Sequence, residues 1–229
     1  MHTSAKVLKA FFRYAERKGW VQAGVADAIL MPRLYRHEDV PPGPNWEQVR
    51  EVVAGIDGED AAALRDRAIL MLLSVYGLRS GEVRRLRIDD IDWKEAQVRV
   101  VRSKSLRPQT LPLESGVGEA IARYLHDGRP KSSSRIVFLT LTAPPRALSS
   151  SGLYNVVEHH LARVATVKRG RGPHGLRHAC ARRLIESGRS FKEVGDHLGH
   201  RSPDATSVYA KVDLASLRRV ALEDLGGLT

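Results

Sequence analysis

Cysteine is almost missing from this chain. Among 229 residues only Cys180 carries a thiol, which excludes an internal disulfide and a cysteine-rich zinc site. Aromatic side chains are scarce, at 6%. No strand-forming stretch carries an aromatic motif for stacking bases, which argues against an RNA-binding sheet. No apolar run approaches the ~20 residues of a membrane span. The start, MHTSAKVLKAFFRYAERKGW, lacks both a long apolar core and a cleavage-site pattern, so it does not read as a secretion signal. Internal repeats and low-complexity tracts are also lacking. These absences lead us to expect a cytoplasmic protein with no membrane partner.

Acidic residues are outnumbered. The chain has 26 Asp+Glu against 37 Lys+Arg, a formal net charge of +11. A surplus of that size favours a polyanionic partner, nucleic acid or an anionic membrane surface. Arginine dominates the basic set, and its planar fork suits phosphate oxygens better than a lysine point charge. A hydrophobic fraction of 42% is enough for a packed core.

The patterning predicts a mainly α fold with a small antiparallel β-sheet, an α+β arrangement. Val7, Leu8, Phe11, Phe12 and Ala15 recur at helical spacing, predicting an amphipathic helix over 5–18. An irregular stretch over about 20–44 ends in Pro41-Pro42-Gly43-Pro44, a linker signature. We place the domain boundary there, giving 1–44 and 45–229. Asn45 is a candidate cap for a helix from Trp46 to about Val53. Asp60 caps a central helix whose apolar residues Leu64, Ile69, Leu70, Leu72, Leu73 and Tyr76 need burial on more than one side. Gly77 ends it, and Ser80 caps a short helix over 81–87, leaving Arg79 at the junction. Short strands follow near 91–93, 97–102 and 109–113, the last two joined by a basic turn over 103–108. Val98, Val100 and Arg102 alternate along the middle strand. An extended piece at 136–138, a basic loop over 168–173 and helices near 115–126, 150–164, 174–187, 191–198, 203–210 and 214–223 complete the chain.

Several polar residues point to chemistry on a phosphodiester. Its anionic charge repels nucleophiles, and its transition state gathers charge on two non-bridging oxygens, so fixed cationic donors are needed. His174 and Arg177 are three apart and share a helix face near the helix N-terminus. From 160 to 189 there are eight Lys/Arg and one acidic residue, Glu186. The same segment also reads as a solvated basic surface helix with His174 as its cap. Arg79 is a second phosphate candidate. Glu82, three residues on, would orient it by a charge-assisted hydrogen bond, or form an ordinary surface pair. His200 follows Leu198-Gly199; alone it reads first as a buried histidine bonded to backbone, and otherwise as a donor to the phosphate. Tyr209 is a candidate nucleophile, weak at its free pKa of ~10 unless positive neighbours or a base activate it. Otherwise it is a packed aromatic. Lys104, at the hairpin tip, is a candidate general acid for the leaving group or a solvated lysine. Glu158, His159 and His160 lack a further ligand at recognisable spacing, so the two histidines read as a helix-surface pair. No metal or other cofactor is expected.

Taken together, these strings resemble the tyrosine recombinases of the phage-integrase family, which includes the chromosome-dimer-resolving recombinases. The matching strings are Tyr-Gly-Leu-Arg79-Ser-Gly-Glu82-Val, Lys104 before Leu-Pro112-Leu, His174-Gly-Leu-Arg177-His, and Leu-Gly-His200 running to Tyr209. They cover roughly residues 45–223. The resemblance implies that Arg79 and Arg177 bind the scissile phosphate, with His174 and His200 completing the pocket. It implies that Lys104 assists leaving-group departure, Tyr209 forms a 3′-phosphotyrosyl bond and Glu82 supports the pocket. It also implies double-stranded DNA as partner, a homotetramer assembled on that DNA with residues 213–223 packing on a neighbour, and a reaction without ATP or metal. Accessory proteins and the target site are not readable from the residues.

The chain departs from the family pattern at its front. Members carry a helical core-binding domain of four or more helices before the catalytic domain, and here Lys6 to Trp20 resembles only its last main helix. The expectation is a remnant of that domain, from a short enzyme, a decayed gene or a start that omits upstream sequence. Two other readings stay open: a type IB-like topoisomerase with the same chemistry, and a catalytically idle DNA-binding or assembly remnant.

Overall fold

A computed structural model describes residues 2–29, 42–102, 107–164 and 169–199. The chain divides into two compact units, Met1–Glu38 and Asp39–Thr229. In the first, helix α1 (His2–Arg17) packs on the short helix α2 (Val25–Ala28). Ala15 and Ala26 are buried. The Glu16 carboxylate accepts from the Ala26 amide at 2.8 Å, and Lys9 pairs with Asp27 at 3.4 Å. Helix α2 falls inside the stretch predicted to be irregular; its four residues are too few to show periodicity. Phe11 and Trp20 remain 53% and 65% exposed.

The second unit is built round helix α4 (Ala61–Val75). Leu64, Ala68, Ile69, Leu70, Leu72 and Leu73 are all buried, so this helix meets its neighbours on several sides, mainly through apolar side chains. Asp60 caps it, accepting from the Ala62 and Ala63 amides. Helix α3 (Trp46–Ala54) begins with a full capping box between Asn45 and Gln48. Helix α5 spans Ser80–Arg85. Its cap is Arg79 and not Ser80, because the Glu82 carboxylate turns back to accept the Arg79 amide at 2.9 Å. It stops short of 87 because Leu86 and Arg87 pair with the 135–137 segment: Val137 donates to Leu86, and Arg87 bridges Ile136.

Strands β1 (Ile91–Asp92), β2 (Gln97–Val101) and β3 (Pro108–Pro112) form an antiparallel sheet in that order, with Val98 opposite Leu111 and Val100 opposite Gln109. Helix α6 (Ser115–Arg123) runs into a π-helical turn, Tyr124–Gly128. Helices α7 (Ser150–Ala162), α8 (Pro173–Glu186) and α9 (Phe191–Leu198) follow. Thus the mainly α architecture with a small antiparallel sheet is present. The helices predicted over 203–210 and 214–223 lie outside the described residues.

Arginines tie much of this unit together through backbone carbonyls. Arg67 donates to Val53 and Ile56, Arg84 to Leu148, Arg129 to Ser134, Ile136 and Val137, and Arg182 to Gly43 and Pro44. Around Pro44 three backbones meet. A Cβ at Gly43 would touch Gly175, one at Gly175 would overlap the Gly170 carbonyl, and one at Gly170 would overlap Pro42. Gly170 also has a φ of +69°, which favours glycine independently of space.

Candidate active site

The site forms where the α4–α5 junction, the turn end of the β2–β3 hairpin, α8 and the C-terminus of α9 converge. A helix C-terminus leaves carbonyls without intrahelical partners and carries the negative end of the helix dipole. The carbonyls of the last three residues of α9 and of Gly199, which follows them, are each taken by a side chain from elsewhere. Gln109 Nε2 reaches Asp196 at 3.3 Å, Arg102 reaches His197, Arg177 Nη2 reaches Leu198 at 2.7 Å, and Arg79 Nη2 reaches Gly199 at 3.5 Å. The Arg79 contact is the longest, near the limit of a hydrogen bond. Gly199 then turns the chain through a left-handed conformation, φ +65°.

The two phosphate candidates are therefore brought together. Arg177 is buried in α8, and its other nitrogen donates to the Gly77 carbonyl, two residues before Arg79. Gly77 has a φ of +59°, and a Cβ there would collide with Leu198 and contact Cys180. The glycine thus lets the junction, α8 and α9 close on one point. Glu82, buried in α5, takes Arg79 Nη1 at 3.1 Å on one oxygen and Arg102 Nη1 at 3.2 Å on the other. The expected charge-assisted hydrogen bond to Arg79 is present, as a buried link between two arginines and not as a surface pair.

His174 lies exposed in the first turn of α8, one turn before Arg177. Beside it, burial holds the His178 imidazole down at about 4, with the charges of His174, Arg182 and Arg177 adding to the effect. Burial likewise lowers His197, and Arg102 lowers it further. Lys104, His200 and Tyr209 lie outside the described residues. Lys104 follows two residues after Arg102, whose amide closes the hairpin base on the Arg107 carbonyl at 3.1 Å, and His200 directly follows Gly199.

Arg102 and Gln109 were not singled out from the sequence as site residues. The signal was present: Val98 and Val100 are buried on one strand face, and Arg102 continues it. An inward arginine at that register demands a buried partner. The histidine pair also needs correction. His159 is exposed, but His160 is buried, its Nε2 3.0 Å from the Asp66 carboxylate, which also pairs with Arg65. Two successive helix residues point to different faces, so one of them met the core. Among the described residues no cluster of three or more His, Cys, Asp or Glu could hold a metal.

Residues 46–215 match the model of the phage integrase family. The chain belongs to that family. Relatives include the integrase/recombinase proteins y4rA and y4gC of Sinorhizobium fredii. The first is 38% identical over 216 residues, spanning 94% of this chain and 52% of the relative. The second is 46% identical over 163 residues, spanning 71% and 84%. The tyrosine recombinase XerC of Mycobacterium leprae is 32% identical, over 93% of this chain and 72% of its own. The chain thus spans about half the length of some curated relatives it matches. Among solved structures, the XerH recombinase in a post-cleavage complex with its difH substrate superposes with a TM-score of 0.69 at 21% identity, covering 80% of this chain and 53% of that one. XerA recombinase gives 0.66 at 19%, covering 97% and 74%. These place the fold of this integrase-family chain among recombinase structures.

Proposed function

We propose that this chain is a site-specific DNA recombinase or integrase that cleaves and rejoins strands through a 3′-phosphotyrosyl intermediate. The observation that carries it is the convergence of Arg79 and Arg177 on the last two carbonyls before His200. Two arginines held at one point suit the non-bridging oxygens of a phosphate. His174 and His200 complete the pocket. The Tyr209 oxygen attacks phosphorus, losing its proton to a neighbouring base or to solvent, while the P–O5′ bond breaks and Lys104 protonates O5′. A 5′ hydroxyl from a second strand reverses the reaction, so the linkage energy is retained and no cofactor is called for.

In this reading double-stranded DNA is the partner, a homotetramer forms on it in the cytoplasm, residues 1–44 belong to a core-binding domain and its linker, and 45–229 are the catalytic domain. The formal charge of +11 supports a polyanionic partner. The test uses nicked duplexes tiled from the DNA flanking the gene, with wild type beside Tyr209→Phe. The expected result is a denaturation-resistant adduct with wild type alone and equal DNA binding by both proteins. On a supercoiled plasmid assayed in parallel, relaxation without recombinants would move the reading to a topoisomerase. Binding without any adduct would move it to an idle DNA-binding protein.

A further inference from the structure

We infer that Arg102 is a positioning residue that sets the hairpin carrying Lys104 and the helix end preceding His200 in one register. This rests on the recombinase reading for its consequence, but not for its geometry. The Arg102 side chain is 3% exposed and uses all three of its nitrogens, each on a different element. Nε donates to the Gln109 side chain on β3 at 2.7 Å. Nη1 donates to Glu82 on α5 at 3.2 Å. Nη2 donates to the His197 carbonyl at the end of α9. Gln109 then extends the same link by donating to Asp196.

The strand end, the support of Arg79 and the approach to His200 thus share one planar group. A guanidinium fork fixes direction as well as distance, which a lysine at this position cannot do. The close packing of Gly199 against this side chain makes the contact tight: a Cβ there would fall 2.9 Å from Arg102 Cδ and Nε. Arg102 touches no reacting atom in this scheme. It acts through Lys104 on one side and through His200 and Arg79 on the other.

The test compares wild type, Arg102→Lys and Arg102→Met, with Arg99→Met as a control from the exposed face of the same strand. The first readout is amide hydrogen exchange without DNA. Faster exchange confined to 97–112 and 196–199 in both Arg102 variants, and absent from Arg99→Met, is expected. Unchanged exchange, or an increase spread evenly over the second unit, overturns the proposal. The second readout is adduct formation on the nicked duplexes, with the scissile O5′ either oxygen or sulfur. A sulfur leaving group departs as the thiolate when the P–S bond breaks and needs no proton. Arg102→Lys should lose about 100-fold on oxygen, the scale of a misplaced catalytic group, and recover on sulfur the part of that loss that runs through Lys104. Equal loss on both substrates overturns the link to Lys104. If wild type makes no adduct, the recombinase reading fails, and the exchange pattern alone decides the role of Arg102.

Discussion

Replacing Glu82 with glutamine tests the energetics of the site directly. The carboxylate is fully buried and both oxygens are occupied, by Arg79 Nη1, the Arg79 amide and Arg102 Nη1. Arg79 keeps 15% side-chain exposure, whereas Arg102 keeps 3%. Glu82→Gln removes the counter-charge and turns an amide NH2 toward one of the two guanidinium groups. The buried Arg102 charge is then uncompensated, and breaking such a pair from one side costs about 3 kcal/mol. For a unit of this size that is a fall in Tm of about 6–12 °C. Urea denaturation followed by tryptophan fluorescence should show a lower midpoint with an unchanged slope. Adding Arg102→Met should recover part of the loss, because the stranded charge leaves with it. A loss below about 1 kcal/mol, or simple additivity in the double variant, would refute the claim that burial makes this link strong.

Three further outcomes follow from the packing. Gly175→Ala should abolish folding of the second unit, because its Cβ would overlap the Gly170 carbonyl, whereas Gly188→Ala, with no neighbour within 4 Å, should cost only the strain of its φ of +82°; soluble yield and thermal melts compare the two. His178 titrates at about 4 when folded and near 6.5 when unfolded, so the unfolded chain binds more protons between those values. Its contribution is complete above pH 6.5 and is lost as pH falls toward 4. After allowing for partial exposure, this amounts to about 1–2 kcal/mol. His178→Asn should flatten the slope of stability against pH in that window. Cys180, buried and with its thiol pushed up to about 11, should resist thiol reagents at pH 8 in the native protein and react fully in urea.

Among the described residues, the helices of the second unit were legible where caps and apolar spacing agree, as at Asn45 and Asp60. Helix α8 opens one residue earlier than predicted, at Pro173, which suits a first helical position. What escaped was set by tertiary partners. The end of α5 is fixed by the pairing of Leu86 and Arg87 with 135–137, and the fate of His160 by Asp66 on α4. For the proposed catalytic set, the strings around Arg79, His174 and Arg177 stand out in the sequence, and the structure brings the two arginines to adjacent carbonyls. The buried linkage through Arg102 and Gln109 was not readable, because the α9 carbonyls that complete it carry no mark in the sequence.

The use of arginine as an internal clamp separates formal charge from the charge that a polyanion can neutralise. Arg67, Arg84, Arg129 and Arg182 each spend hydrogen bonds on backbone carbonyls, and Arg102 is cancelled by Glu82. Each phosphate neutralised on a duplex contributes about −0.9 to the slope of log affinity against log salt. That slope counts outward cations only. A salt titration of this protein on DNA should therefore fall well short of what 37 basic residues would allow, and removing Arg129 or Arg102 should weaken the fold while leaving the slope where it was.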